Sequence, residues 1–340
     1  MTRSQPPKPS PKANPKPGPK PGPEPSSQPS PDPGPDRPAQ KITADAIALI
    51  GFGEAGAAFA EGWTGPDAAP LAHDILLRDP ARAAAMRARM AAAGVSAHAE
   101  PAPALDRARL IFSLVTADRA LEAARSAAAH LPAGAFYCDG NSCAPQTKAR
   151  AAALIEAAGG RYIDMAIMAP VHPRGHATPV LIAGPHAEAA LPVLRGLGMQ
   201  AETTPGPVGA ASAVKLVRSV MVKGLEALMA ECVLTGRELG VEERVLASLE
   251  ASYPGFGFRD RAAYAFDRMM VHGTRRAAEM EEAARMVAEA GLSGRMARAT
   301  AAWQRAIGAL DLPPGPEDAA ERADRIRAAL KPGATGPGVG

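Results

Sequence analysis

Lysine is rare in this chain of 340 residues: between Ile42 and Leu330 it occurs only as Lys148, Lys215 and Lys223, and arginine supplies the other side-chain cations. Cysteine is rare too, with Cys138, Cys143 and Cys232 the whole set. Neither these thiols nor the seven histidines show metal-ligand spacing, so no disulfide framework and no metal site is expected. No run approaches the ~18 continuous apolar residues of a membrane span, and the N-terminus lacks the apolar core of a secretory signal. A cytoplasmic protein with no membrane contact is the expectation.

A local excess of positive charge is also missing from most of the chain. Residues 1–40 hold 15 of the 35 prolines and six Lys or Arg against three acids, whereas residues 41–340 carry 32 cations and 32 acids. The formal net charge of +3 therefore belongs to the tail. A neutral body offers no basic face to neutralise phosphates, which argues against nucleic-acid binding. Residues 1–41 have almost nothing apolar to bury and are expected to be disordered with polyproline II character, as are residues 331–340. A solubilising extension is the simpler reading of the tail; docking to a partner is the other.

From Ile42 onward short apolar runs at 46–50, 110–115, 135–138, 161–166 and 179–183 alternate with Ala-rich helical stretches at 80–93, 117–129 and 145–158. Such alternation predicts a parallel sheet with helices on both faces. After Pro205-Gly206 the strand signals stop, and residues 207–240, 242–253, 259–290 and 293–310 read as helices ended by Gly240, Pro254-Gly255 and Gly291. The expected organisation is an α/β domain over 42–206 followed by an all-α domain over 207–330.

The first apolar run ends in Gly51, Phe52, Gly53, Glu54, Ala55 and Gly56, a Gly-x-Gly-x-x-Gly turn that opens a helix. The first glycine permits the tight turn, the second admits a pyrophosphate to the backbone, and the third lets helix and strand pack closely, with the helix N-terminus facing the negative charge. At this position the motif marks a doubly wound sheet of the Rossmann type that binds a dinucleotide. An acid about 20 residues further on should hold the adenosine ribose, and both Asp74 and Asp79 qualify. An acid repels a 2′-phosphate, which favours NAD, while Arg78 and Arg82 keep NADP open. Each lysine is a candidate acid/base, because lysine can lose a proton near neutral pH when desolvated and arginine cannot. Lys215 has the best context, on the first helix after the sheet, with Ser219 four residues on along the same face. Lys223 is read as lying on a neighbouring face.

These residues resemble the β-hydroxyacid dehydrogenase and 6-phosphogluconate dehydrogenase superfamily, in the branch that joins a phosphogluconate-dehydrogenase-like NAD-binding domain to a distinct helical C-terminal domain. The resemblance implies that Gly51–Gly56 is the nucleotide turn and that the pair His73-Asp74 ends the second strand, which favours Asp74 over Asp79. It implies that Leu114, Val115 and Thr116, with Ser113, pass beneath the nicotinamide. It places Asn141 and Ser142, within Asp139–Pro145, near substrate and nicotinamide, and makes Lys215, six residues after Gly209, the catalytic lysine. The segments His272–Arg276 and Glu279–Glu282 resemble the branch's helical-domain signature.

Two departures stand out. Ser219 occupies the place of the common asparagine four residues after the lysine, and Met168-Ala169-Pro170 replaces the Ser-Gly-Gly loop that binds a substrate carboxylate through backbone N–H groups, which proline lacks. The expected activity is hydride transfer between NAD or NADP and the CH–OH group of a small polar, acidic substrate. Lys215 would be the acid/base, with Asn141, Ser142 and Ser219 as orienting groups and Met168, His172, His176, His272 and Arg275 as substrate contacts. The long apolar helix over 208–239 implies a homodimer. The alternatives are an imine or ketone reductase on the same fold, against which Lys215 weighs, and a non-catalytic nucleotide sensor whose tail docks a partner.

Overall fold

The computed structural model describes residues 42–65 and 69–330; the segments read as disordered, 1–41 and 331–340, lie outside them. Strand β1 (Ile47–Ile50) is buried at every position and leads through the glycine turn into α1 (Glu54–Ala60). Then follow β2 (Leu71–His73), α2 (Ala83–Ala92), β3 (Ser96–His98), α3 (Pro101–Leu105), β4 (Leu110–Ser113), α4 (Ala120–Ala128), β5 (Phe136–Asp139), α5 (Pro145–Ala157) and β6 (Arg161–Ile167). Strand β7 (Val180–Ala183), α6 (Ala187–Gly196) and β8 (Ala201–Thr203) complete the α/β part.

The strands form one eight-stranded sheet in the order β3-β2-β1-β4-β5-β6-β7-β8. All pairings are parallel except β6 with β7. That reversal departs from an all-parallel sheet for a physical reason: no α-helix lies between β6 and β7, so the chain folds back without the long crossover that parallel strands need. Burial on both faces is why β1 reads as an unbroken apolar run and why β4 and β5 turn polar only at their last residues, Ser113 and Asp139. Strand order reverses between β1 and β4, and open sheets of this kind bind ligands at such a switch point, beyond the carboxyl ends of the strands.

The helical part consists of α7 (Ala210–Glu238), α8 (Glu242–Ser252), α9 (Phe258–Glu289), α10 (Arg295–Gly308) and α11 (Ala319–Leu330). A core of Met229, Val233, Leu246, Phe266, Met269 and Ile307 joins them. The described residues belong to one compact unit, with Leu216 of α7 and Met280 of α9 sharing an apolar cluster with Ala144, just ahead of α5. The start of α7 is held by the sheet. Gly209 sits at φ +100°, and a Cβ there would come within 2.7 Å of Pro145, so only glycine lets the chain turn into α7 against α5. Asp164 on β6 then accepts hydrogen bonds from the Gly209 N–H (3.0 Å), the Ser212 N–H (3.1 Å) and the Ser212 hydroxyl (2.5 Å). A buried carboxylate thus satisfies the unpaired donors at the positive end of a 29-residue helix.

Candidate functional site

At the switch point the glycine turn has the shape a dinucleotide needs. Gly51 has φ +88°, and a Cβ on it would lie 2.6 Å from the Leu114 carbonyl oxygen; one on Gly56 would lie 2.7 Å from the Gly51 oxygen. Beside Gly53, which precedes α1, nothing lies within 4 Å of where a Cβ would stand, so the helix N-terminus faces open space. Phe52 is buried, Glu54 is exposed and Ala55 is half-buried. Strand β2 ends at His73, which places Asp74 at its tip: one carboxylate oxygen accepts from the Phe52 N–H (2.8 Å) and the other from the Leu76 N–H (2.9 Å). Asp79 instead turns outward to Arg82 at 2.6 Å. Arg78 pairs with Glu100, so both arginines near the turn already face an acid.

Leu114, Val115 and Thr116 follow β4 directly, and the Leu114 N–H donates to the Ile50 carbonyl at 2.8 Å. This crossing is clasped by Asn141. Its Oδ1 accepts from the Val115 N–H (2.7 Å), and its Nδ2 donates to the Ser113 hydroxyl (3.0 Å) and to Asp139 (2.7 Å). Both amide N–H donors are therefore committed within the protein. Asn141 fixes the loops; Ser142, half-buried beside it, makes no such commitment among the described residues.

Behind this clasp lies a buried ionic cluster. Lys148 is fully buried; its Nζ donates to the Asp139 carbonyl (2.6 Å) and carboxylate (3.0 Å) and lies 3.5 Å from the Asp164 carboxylate. Burial pulls its pKa down, but the two carboxylates more than offset that, and the net shift is upward. The Tyr162 hydroxyl donates to the other Asp139 oxygen at 2.6 Å. Lys148 is thus a structural cation. Asp164 escaped the sequence reading, although an acid within an otherwise apolar strand signals a buried charge that needs a partner.

Lys215 differs from both other lysines. Half-buried on the sheet-proximal part of α7, its amine has no hydrogen bond or ion pair among the described residues. Burial pushes its pKa down to about 8; Lys223, Lys148 and Arg275 act in the same direction, and Glu279 opposes them. Lys223 is not on a separate face: its Nζ donates to the Ser219 hydroxyl at 3.2 Å and pairs with Glu279 at 2.8 Å. The Ser219 hydroxyl thereby accepts from a neighbour on its own helix, one turn away.

One row of α9 closes the site. Arg275 lies 3.9 Å from Glu54 of the nucleotide turn and 2.9 Å from Glu279, and Glu282 accepts the Ala144 N–H at 2.8 Å, holding the end of the loop that bears Asn141 and Ser142. His272, one turn before Arg276, is half-buried; burial first, then Arg268 and Arg275, lowers its pKa, so it is neutral near pH 7. Glu279 and Glu282 stood out in the sequence only as the ends of the Glu279–Glu282 signature, with no role in the site attached to either. The structure does not bring His172 and His176 here. Val171 anchors their loop in the sheet's core; His172 is exposed, and the His176 ring lies 6.0 Å from Trp63, beyond the C-terminal end of α1. Met168 packs against Ala166, Ala183 and Ala211 beside the start of α7. Cys143 is no nucleophile: burial pushes its thiol up to about 12. Among the described residues no group of His, Cys, Asp and Glu has the geometry of a metal site, and no helix is long and apolar enough to cross a membrane.

Two family models match the chain: the NAD-binding domain of 6-phosphogluconate dehydrogenase over residues 46–204, and a domain of unknown function, DUF1932, over residues 237–307. No curated protein matches it. Among solved structures, a conserved hypothetical protein from Sinorhizobium meliloti is 37% identical, covering 85% of this chain and 97% of its own, with a TM-score of 0.66. A conserved protein of unknown function, described as structurally similar to 3-hydroxyacid dehydrogenases, is 30% identical over 77% of this chain and 98% of its own, with a TM-score of 0.58. The 3-hydroxyisobutyrate dehydrogenase of Mycobacterium tuberculosis, solved with L-serine, shares the fold at 19% identity, covering 83% of this chain and 98% of its own, with a TM-score of 0.63. The chain therefore belongs to the 6-phosphogluconate dehydrogenase-like superfamily, in the branch whose NAD-binding domain is followed by the DUF1932 helical domain.

Proposed function

We propose that this protein is an NAD-dependent dehydrogenase that oxidises the CH–OH group of a small acidic hydroxy substrate, or runs the reverse reduction. The observation that carries this reading is an unpaired amine, Lys215, whose pKa lies near 8, on the helix that starts against the dinucleotide-type sheet. The open turn over Gly51–Gly56 would hold the pyrophosphate and Asp74 the adenosine ribose. A bound nicotinamide supplies the hydride acceptor. In the oxidation, neutral Lys215 takes the hydroxyl proton as the carbonyl forms; in the reduction, protonated Lys215 returns it. Asn141 fixes the loop that presents Ser142, and Ser219 and Met168 would be further contacts to the substrate. Arg275, with an exposed guanidinium beside Glu54 and Glu279, is the cation for a substrate carboxylate, with His272 as a neutral neighbour; His172 and His176 lie apart and are left out.

The choice of NAD over NADP is supported by Asp74, whose carboxylate repels a 2′-phosphate, and by the engagement of Arg78 and Arg82 with Glu100 and Asp79. The test is turnover with a panel of short 2- and 3-hydroxy acids and each dinucleotide. NAD reduction with at least one 3-hydroxy acid, and a higher kcat/KM with NAD than with NADP, is expected. Dinucleotide binding without turnover of any panel member would sink the reading.

We also infer a homodimer, supported by an apolar stripe on α7: Val214, Val217, Met221, Leu225 and Leu228 are exposed at helical spacing. Sedimentation velocity is expected to show a dimer that Met221→Glu converts to monomer; a monomeric parent protein would refute it.

A further inference from the structure

Three lysines lie among the described residues, and two are neutralised: Lys148 by Asp139 and Lys223 by Glu279. Glu279 is the hub of the second group. Its side chain is 13% exposed, sits 2.8 Å from Lys223 and 2.9 Å from Arg275, and comes from α9, not from the helix that carries both lysines. Without it, α7 would present two unpaired ammonium groups two turns apart, and Arg275 would lose the acid that fixes it beside the nucleotide turn.

We propose that Glu279 is a positioning residue of this site: by taking up both Lys223 and Arg275 it leaves Lys215 as the single amine free of a salt bridge and able to exchange a proton with substrate. This rests on the dehydrogenase reading above and assigns the helical domain a part in it. The charged groups facing Lys215 are Lys223 from α7, Glu279 and Arg275 from α9, and Lys148 from α5. Of these Glu279 alone favours the charged amine, while Lys223, Lys148 and Arg275 oppose it. Glu279 is held ionised: burial works against this, but Lys223, Lys215 and Arg275 together bring its pKa down to about 2. At any working pH it acts as a fixed charge rather than as a second titrating group.

The test needs no substrate. The full chain, labelled with ¹³Cε-lysine, is titrated by NMR, and Lys215→Arg identifies the Lys215 signal. Glu279→Gln is expected to lower the Lys215 midpoint by about one pH unit, the size of effect that a nearby opposite charge exerts. Glu279→Asp should restore most of the shift. A Lys215 midpoint that stays put in Glu279→Gln would overturn the proposal. Should that variant fail to fold, Lys223→Gln serves instead: it removes an opposing cation and frees Glu279 toward Lys215, so the midpoint must rise, and an unmoved midpoint overturns the proposal equally. The two readings fail separately. Absent turnover with the expected lysine shifts sinks only the dehydrogenase assignment, and unmoved shifts with intact turnover sink only the role of Glu279.

Discussion

Lys215→Arg is expected to reduce kcat by about 10²–10⁴-fold, the range that one positioned proton-transfer group contributes, while dinucleotide affinity and melting temperature stay close to those of the parent. Arginine keeps the positive charge and much of the length, but its guanidinium does not deprotonate in a protein. If Lys215 merely attracted an anionic substrate, arginine would serve as well and KM would absorb whatever change occurred. If the amine is the base, kcat itself falls. Steady-state kinetics with the best substrate of the hydroxy-acid panel separates the two, and near-parental turnover would remove Lys215 from the chemistry.

The second large effect is on stability. Lys148→Met is expected to cost about 3–5 kcal/mol, because it leaves two buried carboxylates, Asp139 and Asp164, without their cation. In a chain of this size that is a fall on the order of 10 °C in Tm. The consequences reach the site, since Asp139 orients Asn141 and Asp164 caps the helix that carries Lys215. Adding Asp164→Asn should recover part of the loss, because a neutral amide needs no counter-charge and can still accept from the Ser212 N–H. Thermal melts of the single and double variants measure this coupling. An unchanged Tm in Lys148→Met would mean that the cluster is not held together as described.

What was legible in the sequence was local. The glycine turn, the acid at the tip of β2 and the spacing from Gly209 to Lys215 each depend on a short stretch whose neighbours in sequence are also neighbours in space. Edge strands β3 and β8 have three residues each and no apolar run, because their outer sides are not covered as β1 and β4 are. Helix α11, whose apolar residues are mostly alanine, was missed for a similar reason: little more than Arg322, Ala323 and Ile326 is buried. The charge pattern of the site was illegible for a different cause. Lys215 and Glu279 lie on separate helices, and nothing in either segment specifies that they face one another; the packing of α7 on α9 decides it. Lys148 and Lys215 look alike in sequence, and only the tertiary surroundings, two carboxylates around one and none bonded to the other, give them different work.

The pH dependence of kcat/KM for NAD-dependent oxidation tests the central claim most directly. The folded-state pKa of Lys215 is lowered, so the amine is charged and inactive as a base at low pH and becomes neutral as pH rises through about 8. The account predicts a rate that climbs with pH to a plateau, with a midpoint near 8 that moves lower in Glu279→Gln, while the reverse reduction declines over the same interval. A midpoint that Glu279→Gln leaves in place would remove only the role of Glu279; a profile that is flat through this region would contradict the central claim.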